Sequence, residues 1–189
     1  MIYIKKITEL AHHTAALIIE EGDYVVDATA GKGSDTIFLA EKVGPGGHVY
    51  AFDIQQEALF KTTERLKERG LDSRVTLIHA GHENLSNYIK KPVTAVMYNL
   101  GYLPGSNRQV TTEFGSTMKS FKQALNLLKP GGVITIVLYP GHFEGKREKE
   151  ALLPVCNNLS SSDFAVLYVK LINQVNEPPE LLVIQKIFT

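Results

Sequence analysis

A glycine-rich turn between a short apolar strand and a helix constrains this chain more than any other feature of its sequence. Residues 25–36 read VVDATAGKGSDT, so an apolar stretch leads into Gly31-Lys32-Gly33 and then into a helical pattern over Ile37–Val43. Glycines allow backbone angles that other residues rarely adopt, and they let a ligand approach the main chain. The N–H groups at the start of the following helix attract anionic groups. This unit predicts an α/β fold with a ligand site at the turn.

Apolar stretches alternate with helical patterns along the whole chain, which is typical of an α/β fold with a mainly parallel sheet. The last two predicted strands have no helical pattern between them, so we expect them to pair antiparallel. A helix near 112–128 is expected to stop at Pro130-Gly131-Gly132. The other predicted helices lie near 4–20, 55–69 and 146–159. The predicted strands are Tyr24–Ala28, Val49–Asp53, Val75–His79, Ala95–Tyr98, Val133–Leu138, Phe164–Leu171 and Leu181–Phe188.

Length and composition limit the class of protein. The 189 residues predict one domain over 1–189, and 44% hydrophobic with 21% charged residues is typical of a globular protein. Twenty basic and twenty acidic residues balance, which argues against a generic nucleic-acid coat but not against an RNA substrate. The sequence shows no secretory signal and no apolar run of about 20 residues, so we expect a cytoplasmic protein that does not enter a membrane.

An acidic residue at the end of the second predicted strand adds a second part to the predicted ligand site. Asp53 follows Gly33 by 20 residues, at a position where a carboxylate can accept both hydroxyls of a ribose. A dinucleotide site would need a third glycine where Thr36 stands, and the loop does not match a P-loop. S-adenosylmethionine (SAM) has a ribose and an amino-acid end but no pyrophosphate, and Asp27 suits its ammonium group. The residues favour a SAM site, with a purely structural turn as the alternative.

Five motifs together resemble a known family over essentially the whole chain. They are 27–36 (DATAGKGSDT), 52–55 (FDIQ), 82–85 (HENL), 99–105 (NLGYLPG) and 139–142 (YPGH). The set is similar to the bacterial class I methyltransferases labelled "putative rRNA methylase", whose characterised members act as tRNA 5-aminomethyl-2-thiouridine methyltransferases. Asn173 and Pro178-Pro179 extend the resemblance towards the end of the chain. Lys32 departs from the family pattern, which has asparagine between the two glycines.

The resemblance implies a Rossmann-like class I methyltransferase fold: a seven-stranded, mainly parallel sheet with the last strand antiparallel and helices on both faces. It also implies SAM as cofactor and the anticodon stem-loop of tRNA as partner. The implied reaction moves a methyl group to the exocyclic amine of 5-aminomethyl-(2-thio)uridine at wobble position 34. Because the chain leaves no room for an added RNA-binding domain, the catalytic domain would hold the RNA itself, and a homodimer is one way to do so.

The resemblance also implies roles for individual residues. Asn99 and Tyr102 match the loop with which amino-group methyltransferases orient the target amine and stack on the base. His142, beyond the fifth predicted strand, is a candidate proton acceptor, as are His82 and bulk water. The alternatives are a turn role for Asn99, core packing for Tyr102 and an ordinary strand-to-helix turn around His142. The full set of predicted cofactor-binding residues is Asp27, Thr29, Gly31, Lys32, Gly33, Asp35, Thr36, Asp53, Gln55, His82, Glu83 and Asn99.

Several other residues have a simpler interpretation. Asp53 could cap a helix, and His82 and Glu83 could be solvated loop residues. Adjacent His12 and His13 point to different faces of the first helix and are not a metal pair, so a solvated helix is favoured over contact with substrate.

The remaining candidates are a cysteine, a metal site and three basic residues. Cys156 is expected in the core, and no cysteine stands near the fourth strand, which argues against RNA carbon-5 methylation. Scattered histidines show no ligand spacing, so no metal is predicted. Arg108, Lys146 and Arg147 are candidate phosphate contacts because they follow the site loops.

Three functions remain open from the sequence. The leading one is methylation of the tRNA wobble uridine. The second is a SAM-dependent enzyme that acts on rRNA or on a small amine. The third, from another class, is a non-catalytic nucleotide-binding module. The Asn99 and His142 loops argue against the third, because a binding module has no need of polar groups near a transferred methyl.

Overall fold

The computed structural model describes residues 6–101 and 114–188, which alternate between strands and helices. The strands are β1 (Tyr24–Asp27), β2 (His48–Asp53), β3 (Val75–His79), β4 (Val93–Asn99), β5 (Leu128–Leu138), β6 (Phe164–Val169) and β7 (Glu180–Lys186). The helices are α1 (Ile7–Ala16), α2 (Ser34–Val43), α3 (Gln56–Glu68), α4 (Leu85–Tyr88), α5 (Phe114–Leu127) and α6 (Phe143–Asn157).

In the described part of the chain, seven strands form one sheet in the order β3-β2-β1-β4-β5-β7-β6. Strands β1 to β5 are parallel to one another, whereas β7 lies antiparallel between β5 and β6. The predicted mainly parallel sheet and the antiparallel pairing of the last two strands are therefore confirmed. Strand order reverses between β1 and β4, and in open α/β sheets the carboxyl ends of such strands form the ligand crevice.

Helices cover both faces of the sheet, as expected. Apolar residues of α1, α2 and α3, such as Ala11, Leu39 and Leu66, pack on one face with Val25. Residues of α4, α5 and α6, such as Phe121, pack on the other face. The central strands are apolar on both faces, which is the pattern that a parallel sheet buried between helices requires. The two cores fix β1 and β4 rigidly, and their carboxyl ends therefore hold site residues in place.

The structure differs from the sequence prediction mainly where β5 begins. We expected this strand at Val133, after a helix stopped by Pro130-Gly131-Gly132, but pairing starts at Leu128, which lies beside Val93. The register then shifts, and a bulge takes up the extra residues before Val133 pairs with Ala95. Gly131 sits there with φ of 77°, in the left-handed region that favours glycine.

Two helices also differ from their predicted bounds. The helix expected near 4–20 is described from Ile7 and ends at Ala16, and the one-turn helix α4 was not predicted. Four residues are too few for a periodic pattern to be visible in a sequence. Among residues 6–101 and 114–188, no helix has the length and hydrophobicity that crossing a membrane requires.

Candidate active site

The glycine loop after β1 is closed against α3. Gly31 and Gly33 have φ of 50° and 82°, so both need the conformational freedom that the sequence predicted. A Cβ atom on Gly33 would lie 2.7 Å from Cγ2 of Thr62, which is buried on α3. The Thr62 hydroxyl donates to the Gly31 carbonyl at 3.0 Å. Glycine is therefore required at position 33 by both backbone angle and space.

A second side chain of α3 holds the same loop from outside. The guanidinium of Arg65 donates to the carbonyl oxygen of Lys32 and lies 3.5 Å from the hydroxyl of Ser34. The Lys32 side chain itself is exposed. Thr62 and Arg65 thus support the loop, although no local sequence signal marks either residue, because they lie 31 and 33 positions from the loop residues they contact.

Asp27 ends β1 with a fully buried carboxylate. Its oxygens accept the Thr36 hydroxyl at 2.6 Å and the Thr29 backbone N–H at 3.1 Å. Burial, followed by the nearby negative charge of Asp35, raises the pKa of Asp27 to about 7. A buried carboxyl group beside Asp35 and Asp53 can bind a cation, because a bound positive charge would favour its ionised form.

Asp53 ends β2 and connects this strand end to the glycine loop after β1. One carboxylate oxygen accepts the backbone N–H of Gly31 and the other that of Gln55, both at 2.8 Å. The N-cap residue of α3 is Gln55, so Asp53 forms a turn before the helix and is not its N-cap. A carboxylate has about four lone-pair sites, and each oxygen of Asp53 can still accept a further hydrogen bond.

Asn99, at the carboxyl end of β4, is held by three other site residues. Its backbone N–H donates to the Thr29 hydroxyl at 2.8 Å. Its side-chain amide donates to Asp35 at 3.3 Å, and its side-chain carbonyl accepts the Tyr139 hydroxyl at 2.8 Å. Burial, and then the charge of Asp35, raises the pKa of Tyr139, so the phenol stays protonated and can donate. The structure thus brings the β1, β4 and β5 loops together around Asn99.

His12 is also part of this arrangement, which corrects the expectation that both histidines of α1 face solvent. Its Nε2 lies 2.6 Å from Oδ1 of Asp35, and its ring stacks on Phe38 at 4.1 Å. The side chain is only 26% exposed. His13, by contrast, is exposed and bonds the Glu9 carbonyl of its own helix, as predicted.

His82 and Glu83 follow β3 on a 3-10 turn. His82 is buried, and its Nδ1 donates to the Ala28 carbonyl at 3.1 Å. Burial lowers the pKa of His82, so the ring is neutral and Nε2 carries a lone pair that finds no hydrogen-bond partner among the described residues. The Gln123 amide on α5 donates to the Glu83 carbonyl at 2.6 Å and fixes this turn. His82 is therefore not a solvated loop residue, and its contact with a cofactor stays a prediction.

The remaining predicted residues lie at the rim or outside the described residues. His142 is exposed at the start of α6, and its backbone N–H donates to the Tyr139 carbonyl at 3.3 Å. Lys146 and Arg147 are exposed on the same helix. Tyr102 and Arg108 fall within 102–113, outside the described residues. Their predicted roles stay predictions.

Two further expectations concern cysteine and metal. Cys156 is buried in the core, as predicted, and burial raises the pKa of its thiol to about 11. Such a thiol is not a nucleophile at neutral pH. Within residues 6–101 and 114–188, no three His, Cys, Asp or Glu side chains come together in a way that could hold a metal ion.

The chain matches a family model described as "Putative rRNA methylase" over residues 49–185. The chain belongs to this family. A curated relative, the chloroplastic tRNA (mnm(5)s(2)U34)-methyltransferase of Arabidopsis thaliana, is 36% identical over 185 residues, which cover 92% of this chain and 67% of the relative. The family membership that the five motifs predicted is confirmed.

Solved structures agree with this assignment. A "putative rRNA-methylase" from Clostridium thermocellum is 44% identical, with a TM-score of 0.95 over 98% of this chain and 100% of the other. A "putative methyltransferase" from Streptococcus mutans, solved in complex with SAH, is 35% identical, with a TM-score of 0.89 over 99% of this chain and 100% of the other. The class I methyltransferase fold is confirmed.

Proposed function

We propose that this enzyme transfers a methyl group from SAM to the exocyclic amine of 5-aminomethyl-(2-thio)uridine at wobble position 34 of tRNA. The observation that carries the substrate is the similarity to a tRNA (mnm(5)s(2)U34)-methyltransferase over 92% of the chain. The broader class is already shown: the chain is a SAM-dependent methyltransferase, by its family and by a 35% identical structure solved in complex with SAH. In this proposal the whole chain acts as one catalytic domain.

The donor set around the glycine loop fits SAM. The carboxylate of Asp53 keeps two acceptor positions for the ribose hydroxyls, and the start of α2 offers N–H groups to the carboxylate of the amino-acid end. Asp27 and Asp35 provide negative charge for its ammonium group. In this proposal Gln55, His82 and Glu83 would contact the ribose and adenine end, while Thr29, Gly31, Lys32, Gly33, Thr36 and Asn99 would shape the loop that holds the amino-acid end. When bound, SAM supplies a methyl group activated by a positively charged sulfur.

Asn99 is the residue we assign to orienting the acceptor amine. Its side-chain carbonyl accepts one hydrogen bond from Tyr139 and has a second lone pair for an N–H of the substrate. An amine held in this way directs its own lone pair along a fixed line, and such positioning supplies much of the rate of a displacement reaction. Tyr102 would stack on the base.

The amine must lose a proton before it attacks, because an alkylammonium has no lone pair. An alkylamine of lysine type has a pKa near 10, so it is mostly protonated at neutral pH. His142 is the candidate acceptor because it is exposed at the rim of the same loop cluster, where it can pass a proton to water. The RNA backbone would contact Arg108, Lys146 and Arg147, which gives a salt-dependent affinity.

Nucleoside mass spectrometry tests the proposal directly. Bulk tRNA and, separately, rRNA from cells lacking this gene are incubated with the pure protein and SAM, then digested. Conversion of 5-aminomethyl-2-thiouridine to its methylamino form in tRNA is the expected result. A new methyl only in rRNA, the candidate favoured by the family's description, would overturn the substrate and keep the enzyme class. No methylation of either RNA would redirect the search to small amines.

A further inference from the structure

Four side chains from four different elements form one continuous hydrogen-bonded series. It runs from His12 on α1 to Asp35 on α2, then to Asn99 at the end of β4 and Tyr139 after β5. The three contacts measure 2.6, 3.3 and 2.8 Å. The series therefore connects two helices, α1 and α2, to the carboxyl ends of β4 and β5. Asp35 lies in the middle of it and is 9% exposed.

The carboxylate of Asp35 decides which way round the Asn99 carboxamide lies. An ionised carboxylate can only accept hydrogen bonds, so the NH₂ end of the amide must face it. If the amide were reversed, its carbonyl oxygen would face the carboxylate of Asp35, and two acceptors would oppose each other. Its NH₂ group would then face the Tyr139 hydroxyl, which donates to Asn99 in the structure. The orientation of Asn99 therefore follows from the carboxylate of Asp35, and the Tyr139 hydroxyl then donates to the amide oxygen.

His12 fixes the carboxylate that performs this selection. Its Nε2 engages Oδ1 of Asp35, which leaves Oδ2 for the amide of Asn99. The ring cannot turn away easily, because it is stacked on Phe38 with an interplanar angle of 3°. The first helix thereby contributes a polar contact to the site in addition to its apolar face.

We propose that His12 and Asp35 are positioning residues for methyl transfer: together they hold the Asn99 carbonyl oxygen towards the acceptor amine. This inference rests on the proposed amine acceptor. Without the series, the carboxamide can turn and offer an N–H donor where the reaction needs an acceptor. Misplacement of a reacting group by even about 1 Å can cost about a hundredfold in rate.

Two substitutions of His12 separate hydrogen bonding from packing. His12→Phe keeps an aromatic ring to stack on Phe38 but removes the donor to Asp35. His12→Gln removes the ring but places an amide N–H at a similar reach. His13→Phe is the matched control, because His13 is the neighbouring, exposed histidine of the same helix. Each variant is measured for SAH affinity, thermal midpoint, and kcat and KM on tRNA.

The positioning role predicts that His12→Phe lowers kcat by about ten- to a hundredfold with SAH affinity unchanged, and that His12→Gln recovers most of the rate. His13→Phe should behave as wild type. The opposite order, with His12→Phe active and His12→Gln impaired, would assign His12 to packing and overturn the inference. If His12→Phe does not fold, Asp35→Asn tests the same loss of kcat, measured with saturating SAM because Asp35 is also assigned to the ammonium group of the cofactor.

A spectroscopic measurement separates this inference from the proposed function. In protein labelled with ¹⁵N-asparagine, the side-chain NH₂ signal of Asn99 is identified by its loss in Asn99→Ala. The signal should shift in His12→Phe and stay in place in His13→Phe. If wild type methylates no RNA, the proposed function fails while this signal still tests the series. If wild type is active but the signal and kcat are both unmoved in His12→Phe, the inference fails.

Discussion

The carboxylate of Asp53, at the end of β2, accepts the backbone N–H of Gly31, in the loop after β1, at 2.8 Å. The residue predicted to bind the ribose of the cofactor therefore also closes the glycine loop. A carboxylate can do both, because each oxygen accepts more than one hydrogen bond. Cofactor affinity and the shape of the loop are thus linked through one side chain.

Asp53→Ala should lower SAM affinity by about a hundredfold, because hydrogen bonds to a charged group contribute about 1.5–3 kcal/mol each. The fold should persist, since the side chain lies at the edge of the sheet. Titration calorimetry with SAM and a circular dichroism melt test both statements. Asp72→Ala, at an exposed acid, is the control. Wild-type affinity in Asp53→Ala would remove this residue from the cofactor site.

Gly33→Ala should destabilise the loop more than Gly22→Ala. Both glycines have φ beyond 80°, at 82° and 92°, so alanine at either costs about 1–2 kcal/mol of backbone strain. At Gly33 the new methyl group would also meet Thr62, at 2.7 Å, whereas at Gly22 no atom of residues 6–101 and 114–188 lies within 4 Å of it.

The comparison of these two variants needs urea unfolding and SAM binding. Gly33→Ala is expected to lose both free energy of unfolding and SAM affinity, whereas Gly22→Ala loses only the former. Equal losses in the two variants would mean that the contact between the loop and α3 does not shape the site.

Asn99→Ala should leave SAM binding intact, because the backbone N–H that holds Thr29 remains. It should reduce kcat by about a hundredfold, because the substitution removes the side-chain acceptor that orients the amine. Single-turnover methylation with saturating SAM measures the chemical step. Asn157→Ala, on the exposed end of α6, is the control. An unimpaired rate in Asn99→Ala would exclude this residue from the mechanism.

Asp27 should make stability depend on pH in a direction opposite to that of most acids. Its folded pKa of about 7 lies above the ordinary 3.8, so the native state binds the proton more tightly than the unfolded chain. The stabilisation is complete below about pH 4 and is lost as the pH rises through about 7.

Urea unfolding at pH values between about 5 and about 8 tests this dependence. The free energy of unfolding of wild type should fall over that range by up to about 3 kcal/mol more than that of Asp27→Asn. Parallel pH curves for the two proteins would show that Asp27 has an ordinary pKa.

The fold was predictable because its signals are local. The apolar stretch of β1, the glycine loop and the helical spacing of α3 each lie within about a dozen residues. The start of β5 was not predictable, since Pro130 and Gly131 normally end an element. The strand includes them because Leu128, before them, already pairs with Val93. Tertiary pairing overrode a correct local signal there.

The site was predictable where its residues end strands, as Asp27, Asp53 and Asn99 do. The partners that hold them were less visible. Thr62 and Arg65 reach the loop from α3, and His12 reaches Asp35 across 23 positions. Contacts of this kind depend on how helices pack on the sheet, and no spacing along the sequence records that.

The most direct test uses two synthetic anticodon stem-loops that differ only at position 34. One has 5-aminomethyl-2-thiouridine and the other has uridine, and each is incubated with the pure protein and SAM. We predict that intact mass rises by one methyl group on the aminomethyl loop alone, and that digestion places the methyl on its exocyclic nitrogen. Methylation of both loops, or of neither while SAM binds, would contradict the assignment of the wobble amine as the acceptor.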